Sequence, residues 1–207
     1  DSVDYTIPGA KQALINVPND TVTISKMAYG YSVELSPLQM LTFYNGIAND
    51  GKMITPLIVK EIRKNGKVIE EFESSVIRSS MCSDATLESI RECLHDVVWN
   101  DTLGTASVNP WGTRKAQSDL VAIAGKTGTA QILEKGYSNR RHRMSFVGYF
   151  PEENPQYTCI CVIHGPQWPY DAGMDCGSVV RHIAEKTMAY AGEYVIKNGE
   201  LVMVVKE

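Results

Sequence analysis

The spacing of apolar residues predicts helices at three places along the chain. Ser36 and Pro37 form a typical helix start, and apolar residues then recur every three to four positions until Asn49 and Gly51 end the helix. Residues 1–35, by contrast, show no sustained period and carry scattered turn formers, so we interpret them as mostly irregular. The other two predicted helices run from Ser83-Asp84 to Val98 and from about Asp175 to Ala191.

Runs rich in apolar and β-branched residues predict the strands. Two hairpins are expected, because Asn65-Gly66 and Asn198-Gly199 favour tight turns and stand between such runs; the first hairpin spans Leu57 to Phe72. Three further strands follow one another with short links, which favours antiparallel neighbours: Leu120–Leu133, Met144–Phe150 and Tyr157–His164. We therefore predict an α+β fold, in which an antiparallel sheet is flanked by helices.

Composition narrows the function classes. The 207 residues are 43% hydrophobic and 21% charged, which is typical of a globular protein. The formal net charge of −4 makes the chain a poor electrostatic match for nucleic acid, so we expect no nucleic-acid partner. No run approaches the roughly 18 consecutive apolar residues that a membrane-spanning helix needs.

The cysteines carry no recognisable pattern. There are five, an odd number at irregular spacing, and this does not indicate a disulfide framework. Cys159, Cys161 and His164 suggest a metal site, but His164 points away from Cys161 if this segment is a strand. We expect Cys93, Cys159 and Cys161 to be buried thiols, and we predict neither a metal nor a cofactor.

The most informative segment runs from Ala124 to Gln131 and contains Lys126-Thr127-Gly128-Thr129. Its Gly-Lys-Thr resembles the end of a phosphate-binding loop, but position 120 holds leucine where that loop requires glycine. The apolar flanks favour a strand instead, with Lys126 and Gly128 on one face and the two threonines on the other face or on a twisted edge. An edge strand protected by a lysine is the simplest structural interpretation. The ammonium and hydroxyl groups could also bind a carboxylate.

Lys126-Thr127-Gly128-Thr129 resembles the third motif of the penicillin-binding proteins and serine β-lactamases. Further blocks extend the resemblance to the class B penicillin-binding proteins, the D,D-transpeptidases that cross-link peptidoglycan. These blocks are 30–39, 47–52 with Pro56, Gly104-Thr105-Ala106, and 145–151 with Asn154-Pro155. The resemblance implies a partial transpeptidase fold, with residues 1–50 as a remnant of the helical lobe and residues 51–207 as the α/β lobe.

The resemblance also implies roles for individual residues. Lys126 would supply positive potential, and the hydroxyls of Thr127 and Thr129 would bind the terminal carboxylate of a D-Ala-D-Ala stem peptide or of a β-lactam. Gly128 would let the ligand backbone lie close to the strand. The backbone amide of Thr129 would form half of an oxyanion hole. Peptidoglycan stem peptides and β-lactams are thus the expected ligands, and cell-wall synthesis or division proteins the expected partners.

The other two motifs of that family are missing. No serine is followed three positions later by lysine, and we interpret the one Ser-x-Asn, Ser107-Val108-Asn109, as a coincidence because it lies too close to Lys126. We therefore expect this chain to lack the nucleophile and to be inactive alone. A non-catalytic binding module and a piece of a serine β-lactamase remain as alternatives.

The same resemblance implies a place in the cell and a further surface. The parent protein is expected in the bacterial cell envelope, on the extracytoplasmic face of the membrane, with an N-terminal anchor outside this sequence. A chain with part of its domain missing is also expected to expose apolar surface and to self-associate. Residues 134–143 carry a net positive charge and are expected either to be solvated or to attract acidic ligands toward Lys126.

Overall fold

The computed structural model describes residues 13–15, 20–132, 141–166, 170–191, 194–197 and 200–203. The chain divides into two compact units between Leu87 and Glu88. The first unit contains β1 (Leu14–Ile15), α1 (Thr21–Met27), β2 (Val33–Glu34), α2 (Pro37–Ala48), β3 (Met53–Ile54), β4 (Glu61–Lys64), β5 (Lys67–Glu71) and β6 (Val76–Arg78). The pairs β1–β2, β3–β6 and β4–β5 are antiparallel.

Helix α2 begins and ends as the sequence predicts. The Ser36 hydroxyl accepts a hydrogen bond from the Gln39 amide at 3.2 Å, while the Gln39 side chain accepts one from the Ser36 amide at 2.8 Å. This reciprocal cap satisfies two amides that the helix start would otherwise leave unpaired. At the other end Gly51 has a φ of +77°, a conformation that suits glycine and stops the helix.

The prediction that residues 1–35 are mostly irregular is wrong for the described part. Helix α1 is capped by Asp20, whose side chain accepts from the Thr23 amide at 2.8 Å, and β1 pairs with β2. The apolar residues of this seven-residue helix, Val22, Ile24 and Met27, are too few and too unevenly spaced to form a periodic stripe, and none of the residues of α1 is buried. The hairpin at Asn65-Gly66 is confirmed, although its first strand begins at Glu61 and not at Leu57.

The second unit is built on one antiparallel sheet. After α3 (Asp84–Trp99) come β7 (Ala124–Ile132), β8 (Arg141–Phe150), β9 (Tyr157–His164), a π-helical turn (Gly173–Gly177), α4 (Ser178–Tyr190), β10 (Tyr194–Lys197) and β11 (Glu200–Met203). The sheet order is β7–β8–β9, and β10 pairs with β11. The three predicted strands and the α+β class are thereby confirmed, although β7 begins at Ala124 and not at Leu120, and β8 begins at Arg141 and not at Met144. The antiparallel pair of the final hairpin is confirmed as well, while its predicted turn at Asn198-Gly199 lies outside the described residues. The last helix starts as a π-helical turn that the spacing did not predict.

The core of the second unit lies between helices and sheet. Val180, Ala184 and Met188 of α4 are fully buried and belong to the same cluster as Met144, Phe146 and Phe150 of β8. Val180, Ala184 and Met188 are spaced four residues apart, which places them on one face of α4. At the end of α3, the indole N–H of Trp99 donates to the carbonyl of Ile123 at 3.0 Å, just before β7 begins.

Two facing glycines, one on β7 and one on β8, leave room for the ring of Phe146 to pack against both strands. Gly125 and Gly148 face each other in the register, and a Cβ on Gly125 would lie 2.6 Å from the Phe146 ring and 2.5 Å from the Val147 carbonyl oxygen. Neither position has room for a side chain. The placement of β7 therefore depends on this Gly-Gly pair and on the fully buried Phe146.

Candidate functional site

The four residues Lys126 to Thr129 lie in the middle of β7. Within the described residues β7 forms an edge of the three-stranded sheet, with β8 on its inner side. Lys126 faces Val147 across the ladder and Gly128 faces Ser145. Alternate backbone amides and carbonyls of an edge strand point away from the sheet, so this strand can bind an extended chain along its length.

The Lys126 ammonium is held against its own strand. Its Nζ donates to the Thr127 carbonyl oxygen at 2.8 Å. Although Lys126 is exposed at the edge, the surrounding protein atoms remove part of the hydration of the ammonium, and this burial lowers the pKa of Lys126. A partly dehydrated cation attracts an anion more strongly than a fully hydrated one does.

The Thr127 hydroxyl has a partner outside the strand. Its Oγ1 lies 2.7 Å from Oγ1 of Thr105, and either atom can be the donor. Thr105 belongs to the loop that follows α3. The carbonyl oxygen of Thr105 in turn accepts from Lys115 Nζ at 3.2 Å, and the same ammonium donates to Asp171 Oδ2 at 2.8 Å.

Gly128 and Thr129 complete the stretch. A Cβ on Gly128 would lie 2.6 Å from the Ser145 hydroxyl, so the missing side chain makes room first for Ser145 on the neighbouring strand. Thr129 is exposed on the edge. Lys126, Thr127 and Thr129 thus present one ammonium and two hydroxyls along a single edge, a donor set that suits a carboxylate or another small anion.

Comparison with known proteins identifies the family. A family model for the penicillin binding protein transpeptidase domain matches residues 2–189. The chain belongs to this transpeptidase family. Among curated relatives, the peptidoglycan D,D-transpeptidase FtsI homolog of Mesostigma viride is 30% identical over 173 residues, 76% of this chain and 27% of the relative. Penicillin-binding protein PbpB of Mycolicibacterium smegmatis is 31% identical over 150 residues, 70% of this chain and 22% of the relative.

A solved structure supports the same assignment of this transpeptidase domain. Penicillin-binding protein 3 of Mycobacterium tuberculosis, in complex with aztreonam, has a TM-score of 0.71 at 26% identity, and the match covers 96% of this chain and 45% of that one. The chain spans about a quarter of the length of the two curated relatives. The predicted membership in the class B penicillin-binding proteins is confirmed at the level of the transpeptidase domain.

Three residues near the candidate site could not be predicted from the sequence: Thr105, Lys115 and Asp171. The block Gly104-Thr105-Ala106 contributed to the resemblance, but nothing in its local pattern indicates that it contacts β7. Lys115 and Asp171 are 56 positions apart, and each resembles an ordinary surface charge in the sequence. Their ion pair forms only when the segment just before the π-helical turn and the loop after α3 are folded together.

The cysteines of the transpeptidase domain are free thiols. Cys176 is buried and Cys159 and Cys161 are half-buried, but the prediction that Cys93 is buried is wrong, because Cys93 lies on the exposed side of α3. Burial raises the pKa of the Cys159 thiol, which makes it less reactive. Among the described residues no cluster of three or more histidine, cysteine or acidic side chains could hold a metal.

The basic segment 134–143 is described only in part. Residues 134–140 lie outside the described residues, so its predicted role beside Lys126 stays a prediction. At the start of β8, Arg143 Nε donates to His164 Nδ1 at 3.0 Å and pairs with it across the ladder. In the part of the transpeptidase domain that the structure covers, no helix is long and apolar enough to span a bilayer.

Proposed function

We propose that this chain supplies the carboxylate-binding strand of a peptidoglycan D,D-transpeptidase. The observation that carries the proposal is the edge strand β7, along which the partly dehydrated Lys126 ammonium and the hydroxyls of Thr127 and Thr129 follow one another within four residues. Membership in the transpeptidase family and a relative named as binding aztreonam support the same assignment. The expected ligands are the D-Ala-D-Ala end of a stem peptide and β-lactams that imitate it.

Each side chain has a distinct part in the proposed site. The hydroxyls of Thr127 and Thr129 donate to the terminal carboxylate, and Lys126 contributes positive potential close by. Gly128, between them, lets the ligand backbone lie along the strand. The Thr129 amide donates to the oxyanion that forms when the scissile carbonyl is attacked.

The attacking group is proposed to lie outside these 207 residues. Acyl transfer needs a hydroxyl with a base in hydrogen-bond reach, and no serine here is followed three positions later by lysine. In the complete protein, such a serine attacks the carbonyl, the amide bond breaks, and the leaving amine takes the proton. The chain alone is therefore half of an acyl-transfer site.

The proposal includes the cellular location of the complete protein and the self-association of the isolated chain. A peptidoglycan substrate places the complete protein in the cell envelope, on the extracytoplasmic side, among cell-wall synthesis and division proteins. The first unit carries large apolar side chains that are more than half exposed, and these support self-association of the isolated chain: Leu14, Ile15, Val22, Ile24 and Tyr29.

Intact-mass spectrometry after incubation with benzylpenicillin tests the proposal. The isolated chain is expected to keep its mass, while the full-length gene product that contains it is expected to gain one penicilloyl group on a serine. Native spectra of the same samples report whether the isolated chain dimerises. A stoichiometric adduct on a serine of the isolated chain would show that it holds a complete site, and a full-length protein without an adduct would refute the transpeptidase assignment.

A further inference from the structure

The Thr127 hydroxyl is held by one side chain from a distant loop. We infer that Thr105 is a positioning residue that orients the Thr127 hydroxyl toward the carboxylate of the ligand. This inference rests on the proposed function of Thr127 and assigns Thr105 a part in it. The two Oγ1 atoms are 2.7 Å apart, a typical distance for a hydroxyl–hydroxyl hydrogen bond.

The backbone on both sides of Thr105 is fixed by hydrogen bonds to the last turn of α3 and to Asn100, the residue that follows the helix. The Gly104 amide donates to the Asn100 carbonyl at 2.7 Å, and the Ala106 amide donates to the Val97 carbonyl at 2.9 Å. A Cβ on Gly104 would lie 2.5 Å from the Asn100 carbonyl oxygen, so the close contact with the helix requires glycine there. Thr105 therefore stands on a rigid base, although its own side chain is exposed.

An ion pair holds the same loop from the other direction. Lys115 Nζ donates to the Thr105 carbonyl at 3.2 Å and to Asp171 Oδ2 at 2.8 Å. Asp171 also accepts from the Met174 amide at 3.0 Å. Burial acts to raise the pKa of Asp171, but Lys115 and the backbone amides outweigh it and the pKa is lowered, so the carboxyl is charged. A Cβ on Gly173 would overlap the Thr105 carbonyl oxygen, so glycine is required for this approach.

The chemistry of a hydroxyl explains why such a partner matters. A threonine hydroxyl has one hydrogen to donate and rotates about its C–O bond. If Thr105 donates to the Thr127 oxygen, the Thr127 hydrogen is directed away from Thr105 and is free for a carboxylate. Hydrogen bonds in such a chain also polarise one another, which strengthens the contact to the anion. Fixing the hydroxyl in advance removes an ordering cost when the ligand binds.

Two ligands that differ only in the carboxylate separate the effect of the oriented Thr127 hydroxyl from other effects on acylation of the full-length protein. Second-order acylation rate constants are measured for benzylpenicillin and for its methyl ester, which keeps the reacting ring but lacks the carboxylate charge. Thr105→Val is expected to slow acylation by the acid about tenfold and to leave the ester within about twofold. Thr105→Ser keeps the hydroxyl and is expected to restore the acid rate to within about threefold of wild type. The acid-to-ester ratio is internal to each sample, so a partly unfolded preparation does not change it.

Two further variants make the outcomes distinguishable. Thr102→Val, on an exposed residue of the same loop, is the matched control and is expected to keep the wild-type ratio. Thr127→Val is expected to lower the ratio, and adding Thr105→Val to it should lower the ratio no further, because both changes remove one interaction. If Thr127→Val leaves the ratio unchanged, the proposed function of Thr127 fails. If Thr127→Val lowers the ratio while Thr105→Val leaves it unchanged or raises it, the positioning role of Thr105 is overturned.

Discussion

Replacing Lys126 by methionine in the full-length protein is expected to slow acylation by benzylpenicillin about 100- to 1000-fold. Methionine keeps the length and most of the volume of the side chain but removes the ammonium, which now donates to the Thr127 carbonyl and is partly dehydrated. The measurement is the second-order rate constant of acylation by intact mass. Lys186→Met, on an exposed residue of α4, is the matched control and is expected to keep the wild-type rate.

The pH profile of the same reaction gives an independent check on Lys126. Because burial lowers the pKa of Lys126, its charge is present below the lowered pKa and is lost as the pH rises through it. Acylation by a carboxylate ligand should therefore decline at a lower pH than an ordinary lysine, with a pKa of about 10.4, would give. Lys126→Arg should move the decline to higher pH. A rate for Lys126→Met within twofold of wild type would contradict the proposed role.

Replacing Phe146 by alanine is expected to reduce the free energy of unfolding of the second unit by about 3–5 kcal/mol. The ring is fully buried and lies against Gly125 and Gly148, so its loss leaves a cavity directly beneath β7. Neither glycine has a side chain that could fill the space. The sheet backbone, paired on both sides of β8, restricts collapse into the cavity.

The loss in free energy of unfolding is measured on the isolated 207-residue chain, by urea titration monitored through tryptophan fluorescence. All three tryptophans (Trp99, Trp111 and Trp168) belong to the second unit, so the signal reports that unit. Tyr190→Ala is the control, because this side chain is 91% exposed, and it is expected to change stability by less than about 0.5 kcal/mol. A loss below about 1 kcal/mol for Phe146→Ala would contradict the packing described for β7 and β8.

The elements that could be predicted are those whose buried residues recur with a regular period in the sequence. Helix α2 has a proline at its start and a reciprocal cap, and the strands of the main sheet are long apolar runs with short links. Helix α1 has no buried residues, and the sequence shows no regular apolar period there. The π-helical turn at Gly173–Gly177 has no periodic signal in the sequence, and the close approach of Gly173 to Thr105 is a tertiary contact that local sequence does not indicate.

The candidate site also has a part that the sequence predicts and a part that it does not. Lys126 to Thr129 are consecutive, so a motif could indicate them and place them on a strand. Thr105, which contacts Thr127, precedes it by 22 residues in the sequence. Lys115 and Asp171, which form the ion pair that holds Thr105, are 56 residues apart. Each of these is a common surface residue type, and only the folded loop gives it a partner. Local sequence therefore predicts the donors of the site, and the tertiary fold determines how they are held.

The proposed carboxylate site on β7 can be observed in a crystal structure of the full-length protein acylated by benzylpenicillin. We expect the carboxylate of the bound penicilloyl group to accept hydrogen bonds from the Thr127 and Thr129 hydroxyls at about 2.7–3.0 Å, with the Lys126 ammonium beside them. The acylated serine should lie outside these 207 residues, and its carbonyl oxygen should accept from the Thr129 amide. A penicilloyl carboxylate bound away from β7 would refute the proposed role of this strand, and a serine of this chain carrying the acyl group would refute the proposal that the nucleophile lies outside it.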